Sequence, residues 1–307
     1  MTENKLLKTI TTVYPEAQLS LSTGLVADYI PELARVDASQ LGITIKGLDK
    51  THINYGDTGT AFTMQSISKV FSFVLALKEF SYTDVFSRVG MEPSGKGFGE
   101  LTTLSDFDEK PNNPFINAGA IVIASMLASK ITFEDYLNHI RKLCHNPNIQ
   151  VNEAVYNSEV STNERNHSLA WELKRLGLLM TEPETALEFY TLACAIEITL
   201  DDLATAGLIL ANGGVDTLSK EQIISPQDVK VTLSIMFTCG LYDGTGSFAV
   251  NAGLPAKSGV GGGMITIVPK QYSIATYGPA LDKNANSIGG IKLVSDLSNA
   301  MHWHVFE

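Results

Sequence analysis

In the stretch MQSISKVFSF (64–73) a serine, Ser66, stands three residues before a lysine, Lys69. On a helix that spacing brings the two side chains to one face. A hydroxyl beside an amine is the simplest arrangement for a serine nucleophile whose proton the amine removes, the opening step of acyl transfer. A helix beginning at Ser66 would add its positive end and its unpaired amides, and both favour a serine alkoxide. Lysine can take that proton only while neutral, so its pKa must fall from about 10.4 through burial or a nearby cation. Val70, Phe71, Phe73, Val74, Leu75 and Leu77 follow and would supply the burial. By itself the pattern also describes a capping serine followed by a lysine that runs its stem along apolar surface to solvent. Ser-x-x-Lys is expected about once by chance in a chain of this size.

A second element weighs against chance. GLPAKSGVGGG (253–263) carries Lys257-Ser258-Gly259 on a predicted strand. Serine hydrolases of the penicillin-recognising type combine Ser-x-x-Lys with a later Lys-Ser/Thr-Gly strand. Such a strand can turn a backbone amide toward a reacting carbonyl, and its glycines allow close approach. The glycines at 261–263 do not read as a phosphate loop, because no Gly-Lys-Ser/Thr follows and 264–268 has strand character.

These residues need a scaffold to bring them together. Alternation over 41–48 and 51–58, around Asp49-Lys50, predicts a hairpin, and 254–259, 264–269 and 272–279 predict further strands between Gly and Pro breaks. Helical periodicity covers 68–80, 116–129, 133–144, 165–176, 183–196, 199–211, 226–238 and about 287–305, with Asn212-Gly213-Gly214 as a stop. Strands at both ends with helices between them imply a mixed α/β (α+β) fold. Its sheet would be antiparallel and assembled from the two termini, with flanking helices and an inserted helical body. The expectation is one domain over 1–307, with a sheet part at about 1–65 and 225–307 and a helical part at about 66–224. A pocket is expected at their seam.

The 307 residues are 44% hydrophobic and 18% charged, a globular composition with enough chain to bury a large core. Apolar runs such as 74–77 and 264–268 fall far short of the roughly 20 residues of a membrane span. The first residues, MTENKLLKTITTVYPEAQ, lack the pattern of a secretion signal, so the expected location is cytoplasmic. Cys144, Cys194 and Cys239 are far apart and odd in number, which fits reduced core thiols. The six histidines show no ligand spacing, and His302-Trp303-His304 reads as helix surface. A net charge of −11 with no basic patch argues against nucleic acid as a partner and for a small molecule.

Seven stretches, in order, narrow the reading: VADYIPELA (26–34), MQSISKV, NPFINAGAI (113–121), YNSEVSTNERN (156–166), EFYTLACAIEIT (188–199), CGLYDGTGSFA (239–249) and GLPAKSGVGGG. Together they resemble the serine-dependent glutaminases, over about residues 24–300. The resemblance implies a fold similar to β-lactamases and penicillin-binding proteins, and hydrolysis of L-glutamine to L-glutamate and ammonia without metal or organic cofactor. It implies Ser66 as nucleophile, Lys69 as its activating partner and Tyr242 as a further catalytic group. The substrate would be held by Tyr29, Gln65, Asn117, Glu159, Asn166, Tyr190 and Tyr242, with the amides of Ser66 and Val260 as oxyanion hole. Glu159 suits the substrate ammonium, and Asn117 and Asn166 can donate to its carboxylate. A homodimer or homotetramer is implied as well. The segment between Gly95 and Asn113 departs from the family pattern, with Gly99 where asparagine is expected. A β-lactamase or peptidase on the same scaffold, and a ligand sensor without turnover, remain as alternatives.

Overall fold

The computed structural model describes residues 2–94 and 110–307, so Gly99 and most of the divergent segment lie outside the described residues. From the amino end run α1 (Thr2–Ser20), the hairpin β1 (Gly42–Gly47) and β2 (His52–Gly56), and the short β3 (Phe62–Thr63). Next come α2 (Ser68–Glu79), α3 (Tyr82–Arg88), α4 (Asn117–Ala128), α5 (Phe133–Cys144), β4 (Gln150–Val151), α6 (Glu153–Val160), α7 (Glu164–Arg175) and α8 (Pro183–Cys194). The chain continues through β5 (Ile196–Ile198), α9 (Leu200–Ala211), α10 (Pro226–Cys239), α11 (Thr245–Asn251), β6 (Ala256–Ser258), β7 (Gly263–Val268), β8 (Tyr272–Tyr277) and α12 (Ile288–Met301). Local chemistry sets many of these boundaries. Thr132 with Asp135 and Thr199 with Asp202 form reciprocal capping boxes at α5 and α9. Ser225 caps α10, where Pro226 occupies the first turn and has no N–H of its own to satisfy.

The main sheet has the order β2-β1-β8-β7-β6 and is antiparallel throughout, so strands from the two ends of the chain lie side by side. Every residue of β7 and β8 is buried, since both faces of the sheet are covered. Alternation divides them: Ile265, Ile267, Ala275 and Tyr277 join the large helical core, while Met264, Val268, Tyr272 and Ile274 pack with α1 and α12. Helix α9 lies so close to the sheet that a Cβ at Gly207 would sit 2.2 Å from Ser273 Oγ. A smaller sheet, β3-β5-β4, ties the chain entering α2 to the chain leaving α8.

Among the described residues, four α-helices have no counterpart in the sequence reading: α1, α3, α6 and α11. The first buries Leu6, Ile10, Tyr14 and Ala17, a helical apolar stripe that continues past Pro15. The closing helix also stops short of the expected 305. It ends at Met301, where His302 adopts a left-handed conformation and its N–H bonds Ser298 O. The cause is Trp303, buried against Tyr272 with ring centroids 5.3 Å apart, which pulls the tail across the sheet and takes His302 and His304 off any helix surface. Among the described residues, no helix is long and apolar enough to cross a membrane, and no cluster of three or more His, Cys, Asp or Glu could hold a metal ion.

Candidate active site

Ser66 sits in a tight 3-10 turn, Gln65–Ile67, that runs directly into α2, and it is buried at the positive end of that helix. The turn is stapled on both sides. Met64 N donates to Ile196 O (2.8 Å) in the small sheet, and Ser68 Oγ donates to Gln65 O (2.7 Å). Gln65 pays for the tightness with φ of 48°, the left-handed region that residues with a side chain rarely enter and that recurs at functional sites. The turn after β6 presses against the same backbone: a Cβ at Gly259 would lie 2.7 Å from Met64 O. This contact sets Val260 beside Ser66 on the wall of one cleft of about 510 Å³, its open mouth included.

Lys69, the second residue of α2, is buried. Its Nζ donates to Asn117 Oδ1 (2.7 Å), and Phe115 O lies 3.4 Å away. Burial brings its pKa down to about 8, with Cys194 and Glu159 opposing the fall. Asn117 begins α4 and passes the polarity on, donating from Nδ2 to Asn166 Oδ1 (3.1 Å). The two asparagines expected to meet a substrate carboxylate are therefore linked to each other and to the lysine.

Glu159, near the end of α6, faces the cleft, and burial raises its pKa to about 7 against the pull of the Gln65 side chain and Lys69. Tyr190 on α8 is buried beside it, its phenol pushed well above the ordinary value by burial. Tyr29 closes the rim half-exposed.

All the expected residues except Lys69 and Tyr242 line this cleft; Lys69 is joined to it through Asn117. Tyr242 holds φ of 50°, and its hydroxyl interacts with the side chains of both Ser66 and Ser258. Burial pushes its pKa up to about 12. Ile30, Thr162, Asn163 and Thr191 also line the cleft and were not anticipated, since none belongs to a recognisable chemical pattern. A second buried amine was quoted in the Lys-Ser-Gly motif but given no role. Lys257 Nζ lies 4.4 Å from the Tyr242 ring centroid and donates to Ser258 O (2.6 Å), and burial followed by Lys69 drives its pKa well below the lysine range. Its place inside an apolar strand was the available signal.

The arrangement offers a buried hydroxyl at a helix start, an amine able to be neutral and a carboxylate suited to a cation. Comparison with known proteins agrees. The sequence model of the family described as Glutaminase matches residues 24–306. A glutaminase of Clostridium botulinum (strain Loch Maree / Type A3) is 42% identical over 307 residues, covering 99% of this chain and 100% of that protein. One of Clostridium tetani (strain Massachusetts / E88) is 42% identical over 301 residues, 97% and 98% of the two chains. Among solved structures, the probable glutaminase ybaS superposes with a TM-score of 0.93 at 33% identity over 99% of both chains. The Bacillus subtilis glutaminase YbgJ, in covalent complex with 5-oxo-L-norleucine, gives 0.87 at 36% identity over 100% of both. With the fold of these β-lactamase-like enzymes and a match over nearly its whole length, the chain belongs to the glutaminase family.

Proposed function

We propose that the protein hydrolyses the side-chain amide of L-glutamine in two steps, with Ser66 as the nucleophile and Lys69 as its base. In the first, neutral Lys69 takes the Ser66 proton and the oxygen attacks the amide carbon. The oxyanion rests on the amides of Ser66 and Val260. The C–N bond then breaks, the nitrogen takes the proton from the Lys69 ammonium, and ammonia leaves a glutamyl ester on Ser66. Water hydrolyses the ester, losing a proton to Lys69, which returns it to Ser66 as glutamate departs. Glu159 pairs with the substrate ammonium, and Asn117, Asn166, Tyr29, Gln65, Tyr190 and Tyr242 hold the rest.

The observation that carries this reading is the burial of Lys69 one turn from Ser66, with an amine pKa near 8. A compact cleft with one buried carboxylate suits a free amino acid better than a peptide or a bicyclic lactam. The covalent complex of YbgJ with 5-oxo-L-norleucine supports covalent chemistry in a relative. The test is ammonia release from glutamine and asparagine. Wild type should turn over glutamine, and Ser66→Ala should lose at least ~10³-fold in kcat with its fold intact. Turnover of asparagine alone would replace the substrate assignment, and a sensor would release no ammonia in steady state. We further propose a cytoplasmic homodimer or homotetramer, with the cleft at the seam between the sheet part and the helical part. Light scattering that reports a monomer would overturn the assembly.

A further inference from the structure

Behind Tyr242 lies a polar chain that the proposed reaction does not use. Asn286 is fully buried, in a turn held by Asp282, whose N donates to Asn286 O (2.8 Å) and whose Oδ1 accepts from Asn286 N (3.0 Å). Its side chain makes two contacts. Nδ2 donates to Leu241 O (3.0 Å), and Oδ1 accepts from Ser258 Oγ (2.6 Å). The approach depends on Gly244, where a Cβ would stand 3.0 Å from Asn286 Nδ2.

The chemistry of these atoms fixes the direction of every proton. A backbone carbonyl can only accept, so the Asn286 nitrogen must face Leu241 and its oxygen must face Ser258. That oxygen carries no proton, so the single Ser258 proton goes to Asn286. Ser258 is left as an acceptor toward the Tyr242 hydroxyl, with which it interacts. The same asparagine pins the backbone just before Tyr242, the residue with φ of 50°.

We infer that Asn286 is a positioning residue acting through Ser258 on Tyr242: it draws the Tyr242 proton toward Ser258 and away from the attacking oxygen of Ser66. This rests on the reading of Ser66 as nucleophile. The lone pair of Ser66 that must reach the amide carbon then stays free in the ground state. Burial keeps Tyr242 a neutral phenol, and Ser258, with its proton committed to Asn286, has none to offer a phenolate. The other titratable groups around it do not supply that proton either. Lys257 lies against the ring, and Cys194, Tyr29 and Tyr190 couple to it electrostatically.

The test is a set of kcat and KM profiles from pH 7 to 11, measured by glutamate formation. Ser258→Ala should lower kcat at least fivefold with KM within twofold, and Ser258→Thr should restore it. Asn286→Ala, or Asn286→Leu if the alanine variant fails to fold, frees the Ser258 proton to bond the phenolate. Its kcat should fall at least tenfold, and its alkaline limb should move at least one pH unit lower than in wild type. That shift should vanish in the double variant with Ser258→Ala, an outcome that a merely structural Asn286 would not give. Wild-type kcat in Ser258→Ala, failure of Ser258→Thr to rescue, or a shift that survives in the double variant would overturn the inference. Activity retained in Ser66→Ala would instead overturn the reading beneath it.

Discussion

Two buried lysines, Lys69 on α2 and Lys257 on β6, differ in what their amines touch. Both have pKa values lowered by burial. Lys69 faces Asn117, which leads through Asn166 to the cleft, so a proton gained there is met by polar atoms. Lys257 faces one backbone carbonyl and the ring of Tyr242. Burial makes an amine neutral, but only a polar route to the substrate makes it a base. The neighbouring Lys69 also holds Lys257 down, whereas Cys194 and Glu159 hold Lys69 up. The pair is therefore graded, with the Lys69 amine brought to about 8 and the Lys257 amine pushed well below the lysine range by burial and by Lys69.

The largest expected effect breaks the comparison on the α2 side. Lys69→Met should lower kcat by at least ~10³-fold with a small change in KM, as expected for a group acting in the transition state. In wild type kcat should rise with pH through about 8 as Lys69 loses its proton. Stability carries the same signature. The folded pKa lies below the unfolded value of 10.5, so the unfolded chain binds the extra proton between about 8 and 10.5, and stability rises with pH across that window. Denaturant titrations at pH 7.5 and 10 should show this rise in wild type and a smaller rise in Lys69→Met, where Lys257 alone still contributes. An unchanged kcat would remove Lys69 from the chemistry.

Glu159→Gln should act next most strongly, and on binding. KM for glutamine should rise at least ~50-fold, since loss of one buried charge partner is worth a few kcal/mol. Here the sign of the stability change is reversed. Glu159 has a folded pKa raised from 4.5 to about 7, so the native state holds its proton longer, and stability falls as pH climbs through that window. Above pH 7 the buried carboxylate costs about 3 kcal/mol, at 1.36 kcal/mol per pH unit. The glutamine variant should therefore be more stable than wild type at pH 8 and equal to it near pH 4.5. A variant that binds glutamine normally would remove the carboxylate from substrate recognition.

This contrast also explains what the sequence could reveal. Ser-x-x-Lys and Lys-Ser-Gly were legible because each is a short motif contiguous in the chain, and the β1–β2 hairpin because its strands alternate around a tight turn. The cleft residues on α4, α6, α7 and α8 were legible only by resemblance, since Asn117, Glu159 and Asn166 look like ordinary helix-end polar residues. Nothing local marks Asn286 as the partner of Ser258, 28 positions away, or Cys194 as a neighbour of Ser68, 126 away. Such pairings arise from sheet order and helix docking, which periodicity does not encode. Helix α1 is a different case, because its stripe at Leu6, Ile10, Tyr14 and Ala17 was present in the sequence but interrupted by Pro15, a residue that ordinarily argues against a helix interior.

The smallest expected effect tests the other lysine. Lys257→Met keeps an unbranched side chain, and its sulfur suits the face of Tyr242 where the amine now lies. It removes the hydrogen bond to Ser258 O and, with it, a polar amine whose burial pushes it well below the lysine range. The second term should prevail, because the desolvation of a buried amine outweighs one neutral hydrogen bond of about 1 kcal/mol. Calorimetry at pH 7 should therefore show a Tm a few degrees above wild type, at about 2–4 °C per kcal/mol. Turnover should stay within tenfold of wild type, far from the loss in Lys69→Met. If the two variants lost activity equally, both amines would belong to one proton-handling unit, and access to Asn117 would no longer distinguish them.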